Sequence, residues 1–306
     1  MEFYNLKNMI YYSFIIPHHN TPNLLNRCLE SIPQREDIEI IIVDDNSDAD
    51  KKPFIKRSDV KLICIDAAHS NGAGHARNCA LKETKGKWLV FADADDFFPK
   101  NFMSVFDEYK DSDIDVVYHN IIMVDTETLQ PYKGYMDKEM SIVSKYDGSK
   151  DSELEVRYRL NAPWWKIVKR ELIEKYRIRF EEVPKGNDIF YSIQVGYFAK
   201  RIVVLDTPLY VYTYNRNSIS NRKKDEHIYF NEFCLRNRVL GIYKTVGHPE
   251  WIMSKCRLWL RLIKHDGLFV CVKTFLMYYH NHKYLKQCLS DYVNMINNTK
   301  KEKGLC

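Results

Sequence analysis

An α/β domain on a largely parallel sheet over residues 1–220, followed by a helical extension over 221–306, is the fold the sequence predicts. Three observations carry that expectation. Apolar β-branched runs such as IEIIIVDD (38–45) and VKLICID (60–66) are nearly continuous, the pattern of strands covered on both faces. These runs alternate with segments of helical periodicity. Beyond residue 220 the chain reads as helices.

Along the chain, SFIIP (13–17) is a short strand. Thr21-Pro22 then supplies an N-cap and a first helical position. Leu24, Leu25, Cys28, Leu29 and Ile32 follow at i, i+1, i+4, i+5 and i+8, one buried helical face. After the two strand runs, HARNCALKETKG (75–86) reads as a helix closed by Gly86. KWLVFAD (87–93) and DIDVVYHNIIMV (113–124) read as further strands.

A chain of 306 residues with 45% hydrophobic content can bury a real core. Its N-terminus lacks the basic leader and cleavage site of a secretory signal, and no run of about 20 apolar residues spans a bilayer, so the expected location is the cytoplasm. Eight cysteines without a CxxC pair are expected to be reduced, small hydrophobes. The net charge of +5 is unevenly spread: residues 221–306 hold 16 Lys/Arg against 7 Asp/Glu. That basic tail suits an anionic surface, the alternative being a solvated helical face.

In parallel sheets ligands bind beyond the carboxyl ends of the strands. Here those ends carry PHHN, Asp44-Asp45-Asn46-Ser47, Asp66 before SNGAG, and Asp93-Ala94-Asp95-Asp96. The i, i+2 spacing in an extended segment sets Asp93 and Asp95 toward one cation. Mg²⁺ or Mn²⁺ fits, because such hard ions take one or two carboxylates and complete their shell with phosphate oxygens. The alternative is a solvated turn with a capping aspartate. Asp45 can accept from a pyrimidine N–H, and Arg77, after the loop Asn71-Gly72-Ala73-Gly74, can donate to base or phosphate. His19 can stack on the base or serve as a structural histidine.

FIIPHHNTPNLLNRCLESI, IEIIIVDDNSDAD, SNGAGHARNCALKETKGKWLVFADADD and GNDIFYS with AKRIVVLDTPLYVYTYNRNSIS resemble the family 2 glycosyltransferases of the GT-A fold, in order and spacing, over roughly residues 10–220. The resemblance implies that Asp45 holds the nucleotide base, that Pro17, His19 and Asn20 floor its pocket, and that Asn71 and Arg77 lie near the nucleotide. Asp93, Ala94 and Asp95 become the DxD motif, Asp93 facing the ribose or sugar and Asp95 the metal and diphosphate. Asp188 becomes the catalytic base, the alternative for it being a helix N-cap. This sequence departs from the family where His19 replaces an aromatic and where Asn187 replaces the common Glu.

The implied reaction is inverting transfer from a nucleotide-sugar, UDP-linked, to a saccharide or lipid-linked saccharide acceptor in surface polysaccharide synthesis. Trp164 and Trp165 are candidate acceptor-lining residues or core, and Arg216 a candidate diphosphate partner or surface ion pair. A nucleotidyltransferase or a dinucleotide-binding dehydrogenase would want a Gly-rich loop where PHHN stands. A silent nucleotide-sugar or glycan-binding protein would not need the acids the chain keeps. No nucleic acid is expected as a partner. In the tail, Arg257, Arg261 and Lys264 form a basic stripe beside the apolar run LFVCVKTFLMYY (268–279). That pattern suits an anionic membrane surface, or packing on the catalytic domain or a second subunit.

Overall fold

The computed structural model describes residues 9–183, 185–215 and 226–281, and the chain divides between residues 216 and 217 into two compact units. The first unit holds seven strands: β1 (Tyr12–His18), β2 (Ile38–Asp45), β3 (Val60–Ile65), β4 (Trp88–Phe91), β5 (Val116–Asp125), β6 (Lys166–Lys169) and β7 (Ile202–Tyr214). They form one sheet in the order β3-β2-β1-β4-β6-β5-β7. β1 runs parallel to both β2 and β4, and β3 parallel to β2, so these four finish at one edge. The middles of β1, β2 and β4 are buried: Phe14 to Ile16, Ile40 to Val43 and Trp88 to Phe91 all lie in the core. Polar groups are left to their tips. β3, at the sheet edge, leaves Lys61, Leu62 and Cys64 exposed, so the expected cover on both faces does not hold for it. The strand order reverses between β1 and β4, the position beyond which open α/β sheets take their ligands.

The expectation of a largely parallel sheet needs one correction. β6 runs antiparallel to both β4 and β5, which makes the sheet mixed. Beyond it β5 and β7 pair in parallel, with a register shift around His119 and Asn120.

Helices α1 (Pro22–Ser31), α2 (Gly72–Leu81), α3 (Phe102–Glu108), α4 (Asp137–Ser144), α5 (Lys150–Arg159), α6 (Arg170–Lys175) and α7 (Ile189–Phe198) accompany the sheet. Pro22 opens α1 as expected, but the Thr21 side chain makes no capping hydrogen bond. α2 begins three residues before the expected 75 and ends at Leu81. Gly86 therefore closes no helix. It packs against β1, where its N–H donates to Ser13 Oγ at 2.8 Å and an added Cβ would meet the Ser13 nitrogen at 2.6 Å.

The second unit contains α8 (Glu226–Thr245) and α9 (Lys255–His280). α9 is two half-helices joined at Gly267, whose φ of +87° is open to glycine at little strain. The chain folds back there. Lys255 Nζ donates to the Tyr278 hydroxyl at 2.6 Å, and the Trp259 and Phe275 ring centres are 6.0 Å apart. Phe233 of α8 packs on Trp259 at 4.4 Å. Among the described residues no helix is long and apolar enough to cross a membrane.

Candidate active site

The tips of β1 and β2 are knotted together by buried polar groups. His18 Nε2 accepts from the Thr21 N–H at 3.1 Å, so its Nδ1 carries the proton donated to Asp44 Oδ1 at 2.8 Å. Ser47 Oγ donates to the same oxygen at 2.5 Å. Asn20, with φ of +60°, donates its N–H to Ser47 Oγ at 2.8 Å and accepts from the Asp48 N–H at 2.8 Å. Asn20 thus clasps the two loops. Pro17 is half-buried beside Val43 in the ladder, and the exposed His19 is anchored through Nδ1 to the Asp45 carbonyl at 2.8 Å.

Asp45 itself is divided in its bonding. Its Oδ2 accepts from the Gly72 N–H, in the first turn of α2, at 2.8 Å. Its Oδ1 is buried without a hydrogen-bond partner. A buried lone acceptor of this kind is costly unless something fills it.

Gly74 lets α2 lie against residues 181–187, since a Cβ there would stand 2.0 Å from the Glu181 carbonyl oxygen and 3.0 Å from Asn187 Cβ. The close approach brings Arg77 into reach of two other segments. This guanidinium, only 5% exposed, donates through Nη2 to Asp93 Oδ1 at 2.6 Å and through Nη1 to Asn187 Oδ1 at 3.0 Å. Asn71, on the outer side, donates to Glu182 Oε2 at 3.2 Å.

Asp93 to Asp96 is a turn, closed by the Asp96 N–H on the Asp93 carbonyl at 3.1 Å, and not the extended segment expected. Its three carboxylates differ in their surroundings. Asp96 is buried and accepts from the Tyr210 hydroxyl at 2.8 Å and the Thr213 N–H at 2.6 Å. Burial and its two acidic neighbours push its carboxyl well above the usual range. Asp96 is a structural strut to β7, a role missed in the sequence reading. Asp95 has its carbonyl fixed by Arg27 at 2.6 Å and Thr213 Oγ1 at 2.7 Å. Its carboxyl meets its own backbone N–H and the field of Arg27, and no side-chain donor is recorded for it among the described residues. Burial, then Asp93, push it up to about 6. Ala94 is buried between them.

That donor set fits a hard divalent cation. Asp93 stands close enough to raise the proton affinity of Asp95, and Asp95 lacks a side-chain donor to relieve it. Among the described residues no group of three or more His, Cys, Asp and Glu side chains forms a ready cage. A small ion completing its shell with substrate phosphates needs none.

Asp188 stands at the N-cap position of α7 yet makes no side-chain capping bond. Burial raises its carboxyl while Arg77 opposes that rise. Lys166 also acts on it: this buried amine donates to the Leu160 and Ala162 carbonyls at 2.8 and 3.2 Å, and burial lowers it to about 7. Trp165, 1% exposed, is enclosed in the core, so the acceptor-lining expectation does not hold for it. Trp164 is buried too, with its ring stacked on Tyr210 at 5.3 Å and tilted on Tyr212 at 5.4 Å. Tyr212 in turn stacks with the exposed Tyr135 at 6.0 Å. Tyr210 donates to Asp96 and its hydroxyl oxygen accepts from the Asp93 N–H at 3.0 Å, so this aromatic run begins at the acidic turn. Arg216 lies outside the described residues.

A family profile described as glycosyl transferase family 2 matches residues 13–179, more than half of the chain. EpsH of Bacillus subtilis (strain 168), whose name describes a glycosyltransferase, is 27% identical over 226 residues, covering 69% of this chain and 62% of EpsH. The UDP-Glc:alpha-D-GlcNAc-diphosphoundecaprenol beta-1,3-glucosyltransferase WfaP of Escherichia coli is 39% identical over 89 residues, 28% of this chain and 36% of WfaP. The chain spans less than two thirds of the length of these curated relatives. Among solved structures, TarS 1-349 of S. aureus in complex with UDP-GlcNAc superposes with a TM-score of 0.58 at 16% identity, covering 96% of this chain and 92% of TarS 1-349. That likeness is one of fold and agrees with the GT-A architecture, while the family match over more than half of its length shows that this chain belongs to glycosyl transferase family 2.

Proposed function

We propose that this protein transfers a sugar, with inversion, from a UDP-linked donor to a hydroxyl of a saccharide acceptor in the building of a surface polysaccharide. The observation that carries the reading is the reach of Arg77, which ties the β4 tip at Asp93 to the Asn187-Asp188 segment. A donor at the strand tips and a base at the head of α7 then belong to one site. The lone Asp45 Oδ1 suits the N3–H of uracil and not the N3 lone pair of cytosine. TarS has been solved with UDP-GlcNAc, and the name of WfaP gives it a UDP-Glc donor and a diphosphoundecaprenol-linked acceptor, in keeping with this choice.

Asp188 takes the proton of the attacking hydroxyl. Its raised affinity for protons, set by burial, favours that role, and its freedom from capping leaves the carboxylate available. Arg77 holds Asp93 in position and sets positive charge beside the departing diphosphate. Asp93 and Asp95 would hold Mg²⁺ or Mn²⁺, which supplies Lewis-acid stabilisation of the leaving group when bound. Tyr212 and the exposed Tyr135 offer ring faces on which the apolar side of an acceptor sugar can rest, with the buried Trp164 packed behind Tyr212.

The test is release of free UDP from UDP-sugars by the purified protein, with and without EDTA. Release that needs Mn²⁺ or Mg²⁺ and grows when a saccharide acceptor is added is the expected result. Binding of donor without release, at any metal concentration, would leave only a nucleotide-sugar-binding protein.

A further inference from the structure

We propose that α9 docks on the surface of an anionic membrane. Its second half exposes Leu268, Phe269, Val272, Phe275, Leu276 and Tyr279. The spacing is i, i+1, i+4, i+7, i+8 and i+11, a single helical face. Exposure on it runs from 49% at Val272 to 73% at Phe269. Beside it lies a shallow apolar groove of about 340 Å³ lined by Trp259, Cys271, Val272 and Phe275. An uninterrupted apolar face of this kind on a soluble surface marks a contact with something apolar. It covers roughly 18 Å of helix, against a hydrocarbon core of about 30 Å, so it can lie on a bilayer and not cross it.

Charge selects the occupant. The first half of α9 exposes Lys255, Arg257, Arg261 and Lys264. No acidic partner is recorded for Arg257, Arg261 or Lys264 among the described residues, and the acid of this helix, Asp266, is taken by the Tyr229 hydroxyl. The fold-back at Gly267 sets this basic half beside the apolar one. A second copy meeting the same face would bring like charges together, which opposes association. An anionic bilayer offers negative headgroups above an apolar layer, which matches both halves at once. The inference stands on the second unit and does not depend on the chemistry assigned to the first.

The experiment is flotation of the full-length protein with vesicles of phosphatidylcholine alone and of phosphatidylcholine with phosphatidylglycerol, at about 0.15 M and at high salt. Binding to the anionic vesicles alone, weakened by salt, is expected. The double variant Phe269→Ser, Leu276→Ser should lose more than about tenfold in vesicle affinity. Arg261→Gln with Lys264→Gln should lose roughly fivefold for each charge. Both should melt as the parent does, with UDP release unchanged. No binding to either vesicle would overturn the proposal. A defined oligomer that the Phe269→Ser, Leu276→Ser variant dissociates would hand the face to a second copy. A fall in melting temperature in that variant, without vesicle binding by the parent, would mean the chain itself covers the face.

Discussion

The β1–β4 half of the sheet and the β5–β7 half meet at the acidic turn and are built differently. In the first half, parallel strands gather acids, amides and a histidine at one edge, and charge is arranged there with little slack: His18, Asp44 and Ser47 satisfy one another while Asp45 Oδ1 is left without a partner. In the second half the strands are mixed in direction, and the groups facing the turn are aromatic. Tyr210 and Thr213 of β7 brace Asp96, and Trp164, Tyr212 and Tyr135 stack outward from there. One half presents directed polar atoms, suited to a ligand with fixed donors and phosphates. The other presents ring faces, suited to a ligand recognised by shape and apolar contact. The division explains how neighbouring aspartates come to serve different ends.

The largest effect should come from the group between the halves. Asp188→Asn removes the proposed proton acceptor and keeps the shape, so transfer should fall by about 10²–10⁴-fold while UDP affinity holds. Steady-state rates and calorimetric titration on one preparation check both. Unchanged turnover would remove Asp188 from its role.

Asp95→Ala and Asp96→Ala should separate the halves further. Losing Asp96 leaves the Tyr210 hydroxyl and the Thr213 N–H buried without their acceptor, which should cost about 1–3 kcal/mol of stability in denaturant melts. Losing Asp95 removes a carboxyl that burial already disfavours when charged, so the cation-free protein should be no less stable. Its melting temperature should no longer rise with Mn²⁺. If the two variants behaved alike, the distinction between strut and ligand would fail.

A pH series sharpens the same point. The Asp95 carboxyl sits at about 6 in the folded chain, above an ordinary value of about 3.9. The native state therefore holds a proton that the unfolded chain has lost between about pH 4 and 6, so this group's contribution to stability declines as pH rises through that window. Cation binding must displace that proton, so Mn²⁺ affinity should weaken by about tenfold per unit below pH 6. A flat dependence between pH 5 and 7 would speak against Asp95 as the ligand. The smallest effect belongs to the aromatic half: Tyr135→Ala should raise the acceptor KM by up to roughly tenfold and leave donor hydrolysis alone.

The same two halves were unequally legible in the sequence. β1, β2 and β4 announce themselves because strands buried on both faces read as unbroken apolar runs whose polar tips stand out, and β3 shows the limit of that signal, since its apolar run forms a half-exposed edge strand. β6 does not, being four residues behind two tryptophans, too short for any period to show. The early start of α2 was hidden because Gly72 and Gly74 look like loop, whereas Gly74 is needed for the approach to Glu181 and Asn187. Asp95 and Asp96 are identical in type and adjacent in the chain. Only partners more than a hundred residues away, Tyr210 and Thr213, make one a strut. Trp165 was ambiguous for the same reason, since depth in a core is a tertiary property.

Calorimetric titration of UDP and CDP into the parent protein and Asp45→Ala, each with Mn²⁺, bears on the whole site through one buried oxygen. UDP should bind the parent at least about tenfold more tightly than CDP, because uracil brings an N–H to Asp45 Oδ1 and cytosine a lone pair, and the preference should vanish in Asp45→Ala. Equal affinity for the two nucleotides in the parent, or a UDP preference that survives loss of Asp45, would contradict a donor site at these strand tips.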